Sequence, residues 1–73
     1  MHDVVEIAEG TTHVVFERDL GACTIETLVS DVATFVHDAI NRGAPFATPI
    51  RLYSSDALGR GYTFGLRTEW AEA

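Results

Sequence analysis

The sequence predicts an α+β fold, a small antiparallel sheet of two hairpins with one amphipathic helix packed on one face, in the order ββαββ. Three observations predict it. Residues 25–42 repeat apolar side chains at helical spacing (Ile25, Leu28, Val29, Val32, Ala33, Val36, Ala39, Ile40). The segments before and after them alternate apolar and polar residues with the period of two that marks a strand. Glycine, or glycine with proline, separates each periodic stretch from the next.

Taken in order, Val4 to Ala8 reads as a short strand, and Glu9-Gly10-Thr11 as the turn after it. Thr12 to Arg18 is a second strand, with Val14 and Phe16 on one face and His13, Val15 and Glu17 on the other. The helix follows. Thr24 is its expected N-cap, because the hydroxyl can accept from a first-turn amide. Glu26 lies at the positive end of the helix dipole, and Arg42 at the negative end. Gly43 suits the left-handed C-terminal position, and Pro45 prevents a restart. Polar residues occupy the other face, and Phe35 falls at the edge of the apolar stripe. The connector 43–49 holds both prolines, with Phe46 between them as an expected plug over the helix end. Ile50 to Ser54 and Tyr62 to Glu69 form the second hairpin, with Trp70 ending the ordered part. Strand order cannot be read from such local signals.

Seventy-three residues make a single domain, 1–73, with little capacity to bury surface. An apolar fraction of 47% excludes disorder. No apolar run is long enough to span a bilayer, and no segment resembles a secretion signal, so the expected location is cytoplasmic. Cys23 is the only cysteine, which excludes an internal disulfide and reads as a small buried residue. His2, His13 and His37 share no metal-ligand spacing, and His37 beside Asp38 points about 100° away from it on a helix. No catalytic set, metal site or cofactor is therefore expected, and the chain is read as a non-enzyme.

Charge is the most informative compositional feature. The net charge is −6, and all five bases are arginines. Residues 1–48 hold eight acids against two arginines, whereas residues 49–73 hold three against three. Such a surface argues against direct nucleic acid and favours a basic protein as partner.

Three resemblances bear on function. Arg60-Gly61-Tyr62-Thr63-Phe64-Gly65 resembles the start of the RNA-recognition motif signature, whose aromatics stack on bases. The second helix and last strand of that family have no counterpart here, which favours a hairpin turn followed by core aromatics. Phe16-Glu17-Arg18-Asp19-Leu20-Gly21-Ala22-Cys23-Thr24, with the later Gly43-Ala44-Pro45-Phe46-Ala47-Thr48-Pro49, is similar to the HicB-like antitoxin pattern and implies an antitoxin with a co-encoded toxin. In type, a very short acidic domain with a helix on a small sheet resembles the phage-encoded anti-CRISPR proteins. That resemblance implies an inhibitor occupying the basic surface of a nucleic-acid-handling complex.

The resulting expectation is an acidic protein-binding module. Its expected contact residues are Glu26, Asp31 and Asp38 on the helix, with Glu17 and Asp19 among the acids of the first hairpin. The HicB-like antitoxin is the alternative. A further alternative is RNA or DNA binding by the second hairpin, through an aromatic and basic set of Arg51, Tyr53, Arg60, Tyr62, Arg67 and Trp70. The sheet face away from the helix, with Val4, His13, Val15, Tyr53 and Gly65, is expected to support a homodimer.

Overall fold

The computed structural model describes residues 2–7, 12–56 and 61–72. It contains β1 (His2–Ile7), β2 (His13–Gly21), α1 (Ile25–Asn41), β3 (Ile50–Ser55) and β4 (Thr63–Ala71). The strands form one antiparallel sheet in the order β1-β2-β4-β3. The α+β class and the ββαββ order are as the sequence predicts. The two hairpins join through β2 and β4, which become the central strands. The predicted turn at Glu9-Gly10-Thr11 lies outside the described residues, as do Ala57 to Arg60 of the second hairpin.

Local chemistry accounts for the helix ends. The Thr24 side chain accepts from the Thr27 amide, while the Thr27 hydroxyl accepts from the Thr24 amide, a capping box with threonine in the place usually held by glutamate. Arg42 is the C-cap, and Gly43 follows at φ +112°, a conformation that disfavours side chains. At the helix entry Gly21 stands at φ +66°, beside a register shift between Asp19 and Gly21, and its amide donates to Asp19 Oδ1 at 3.0 Å.

The helix covers the two central strands. A helix with its side chains is about 10 Å wide and strands lie roughly 4.8 Å apart, so one helix spans about two of four strands. The core accordingly holds Val14 and Phe16 from β2, Leu66 and Trp70 from β4, Phe35 and Ala39 from α1, and Ala44 beyond it. The Phe16 and Phe35 rings stack at 4.7 Å between centroids. Three helix-facing apolar side chains of the edge strands stay exposed, Val5 and Ile7 on β1 and Leu52 on β3, whereas Ile50 of β3 packs against the core.

Several expectations are corrected here. Phe35 is fully buried, at the centre of the contact face rather than its edge. Ile25 and Val29, counted in the apolar stripe, are 83% and 66% exposed. The helix has turned toward the side bearing its largest apolar ring. Phe46 is 90% exposed and does not plug the helix end. Trp70 does not end the ordered part, because β4 runs on to Ala71 and the indole is buried in the core. Cys23 is only partly buried.

Candidate functional site

The two faces of the sheet differ in what holds them. On the helix side, Arg18 follows Val14 and Phe16 in the inward alternation of β2 and is itself buried. Its guanidinium donates to Asp3 of β1 at 2.6 and 2.9 Å and to Asp38 of α1 at 2.9 Å. It also lies 5.4 and 5.5 Å from the Phe16 and Phe35 ring centroids. The hydrogen bonds it donates to Asp3 and, to a lesser extent, to Asp38 raise its pKa further above the ordinary arginine value, against the opposing effect of burial. This cluster joins sheet and helix, and its ligand positions are filled by the protein's own groups.

Among the described residues, no element covers the other face. Residues that share it across the strands are Val4, Glu17, Arg67 and Arg51 in one row, and Asp19, Gly65 and Tyr53 in the next. Arg67 donates to Glu17 and, at 2.9 and 2.5 Å, to Glu69. Glu69 also meets His13 Nε2 at 3.2 Å. The Arg67 hydrogen bonds, with a smaller contribution from His13, hold the Glu69 carboxyl below its usual range. Beside this network lies a groove of about 630 Å³ whose lining includes Glu17, Asp19, Tyr53, Ser55, Thr63 and Gly65. Its volume falls within the usual range for ligand sites.

The predicted contact residues are therefore redistributed. Glu17 and Asp19, from the acidic set, meet Tyr53 and Arg67, from the aromatic and basic set, at this groove. Arg51 is an exposed neighbour of Arg67 in the same row. Glu26, Asp31 and Asp38 do not form one surface. At about 100° per residue, Glu26 points some 120° or more away from the other two, and Asp38 is engaged by Arg18. Asp31 is half-buried. Tyr62 is exposed just before β4, Trp70 is buried, and Arg60 lies outside the described residues. His37 Nδ1 stands 3.7 Å from Asp38 Oδ1 and 3.3 Å from Asn41 Nδ2, on an exposed ring.

Two features escaped the sequence reading. Arg18 is the residue that ties α1 to β1, and its place in the alternation Val14, Phe16, Arg18 was the available signal. Gly65, which forms the gap between Asp19 and Tyr53, carried a signal as a glycine inside a strand.

Among the described residues, no group of three or more His, Cys, Asp or Glu side chains could hold a metal ion, and no helix is long and apolar enough to cross a membrane. No family model, no curated protein and no solved structure matches this chain.

Proposed function

We propose that this chain is a non-enzymatic, acidic protein-binding module of the cytoplasm that inhibits or regulates a nucleic-acid-handling complex by occupying its basic surface, in the manner of the anti-CRISPR proteins. The observation that carries the reading is the sheet face away from the helix, where the acids of β2 and the tyrosine of β3 border a groove that no described element covers. The excess of acid in residues 1–48 supports it, because a net charge of −6 attracts basic protein surfaces and repels phosphate backbones.

Affinity capture from the native host at low salt tests the reading. It expects a basic, nucleic-acid-associated protein to be retained and to be released as salt rises. Retention of no such protein would contradict it. A gel shift with single-stranded RNA separates the nucleic-acid alternative, which predicts a complex that weakens steeply with salt. The HicB-like alternative predicts a toxin gene beside this one. Self-association is a further part of the proposal, supported by the exposed Val5, Ile7, Ile25, Val29 and Leu52. These side chains lie on the helix side of the molecule rather than on the sheet face away from it, where the sequence places the dimer, so a homodimer through them would leave the open face free.

A further inference from the structure

Gly65 occupies the interior of β4, a central strand paired on both sides. Glycine weakens a strand there, so its presence needs a reason. Neither backbone nor packing supplies one. Its φ lies outside the left-handed region, and an added Cβ would meet only the Arg18 carbonyl oxygen, at an ordinary 3.6 Å. What glycine provides is a gap on the open face between its two cross-strand neighbours, Asp19 and Tyr53.

We infer that this gap is a slot for an arginine side chain of a basic protein partner. Asp19 and Tyr53 stand two strand spacings apart, roughly 9.6 Å between backbones. A flat guanidinium needs about 3.5 Å on either side, which such a gap provides when no side chain rises from its floor. Asp19 supplies a carboxylate that forms no ion pair among the described residues and accepts only from the Gly21 amide. Tyr53 supplies a half-exposed ring on which a guanidinium can stack. Arg67, at the neighbouring position, is already neutralised by Glu17 and Glu69, so it does not oppose an incoming cation as a free arginine would. The combination of carboxylate, ring and glycine floor selects arginine over lysine, whose compact ammonium stacks less well and is more strongly hydrated. The proposal rests on the acidic-module reading for the identity of the partner, and on the slot geometry alone for the side chain it takes.

Titration with an arginine–glycine repeat peptide and its lysine counterpart at low salt, followed by amide chemical shifts, tests the slot. The arginine peptide should shift Asp19, Tyr53 and Gly65 and bind about threefold or more tighter than the lysine peptide. Asp19→Asn should weaken it by roughly tenfold. Gly65→Val should abolish the Gly65-centred shifts while keeping the melting temperature at or above that of the wild type. Gly65→Ala should weaken binding partially and serves if the valine variant fails to fold. Equal binding of the two peptides, shifts confined to the helix acids, or full binding by both Gly65 variants would each overturn the slot. Sedimentation covers the remaining occupant. A concentration-dependent dimer lost in Asp19→Asn would assign the slot to an arginine of a second copy and overturn the partner. Failure of the slot alone leaves capture of a basic partner by the Gly65 variants intact, whereas failure of the functional reading removes the partner and leaves the peptide result standing.

Discussion

Arg18 and Arg67 each lie against two carboxylates, on opposite faces of one sheet. The Arg18 side chain is 6% exposed and closed in by Phe16, Phe35 and the helix, whereas that of Arg67 is 34% exposed and faces outward. Equivalent chemistry therefore has different consequences. A buried guanidinium cannot exchange its partners for water, so losing a partner leaves an uncompensated charge. An outward-facing one is screened and can exchange partners at little cost. The helix side holds the fold together, and the open side has groups that another molecule can engage.

The largest effect that sharpens this contrast comes from the ring under Arg18. Phe35→Ala should destabilise by about 4 kcal/mol, because it removes a fully buried ring and the stack on Phe16. Val29→Ala, on the exposed part of the same helix, should change stability by under about 0.5 kcal/mol in denaturant melts. A reversal would mean that the helix is rotated away from the placement that buries Phe35.

Arg18→Ala should cost about 3 kcal/mol, near the lower end for a broken buried pair because Asp3 and Asp38 keep some contact with water. Replacing Arg18 by Met together with Asp3→Asn and Asp38→Asn should recover most of that loss, since no unpaired charge is left behind. Asp38→Asn alone should also lower the melting temperature. A helix acid read from sequence as free for a partner thus contributes to folding. Arg67→Ala, by comparison, should lower the melting temperature far less than Arg18→Ala does in the same melt, because its ion pairs are screened by water. A loss equal to that of Arg18→Ala would erase the distinction between the faces.

The smallest effect is on pH dependence. The folded Glu69 carboxyl titrates below the usual value of 4.5, so its pairing contributes above that value and is lost as pH falls through the lowered one. Wild-type stability should therefore decline more than that of Glu69→Gln as pH drops below about 4.5. Parallel pH curves for the two proteins would show that the open-face network has no part in stability.

Much of the fold was legible because strand alternation, helical period and caps are local. Val14 and Phe16 pointed inward as read, and Thr24 caps the helix. The contact face of the helix was not legible, because apolar residues from Leu28 to Ile40 cover more of its circumference than one sheet can bury. Phe35 and Val36 both belong to that arc, and only packing against Phe16 decides between them. The candidate site was legible as residues but not as a place. Glu17 and Arg67 are 50 positions apart, and they meet only because β2 pairs with β4, which no local pattern specifies.

The most direct test of the account sets the open face against the helix acids. A captured partner should be titrated with two double variants of matched melting temperature, Asp19→Asn with Tyr53→Ala, and Glu26→Gln with Asp31→Asn. The first should lose affinity by roughly tenfold or more, as an anchor contact does, and the second should bind as the wild type does. Full binding by the open-face variant with loss in the helix variant would contradict it.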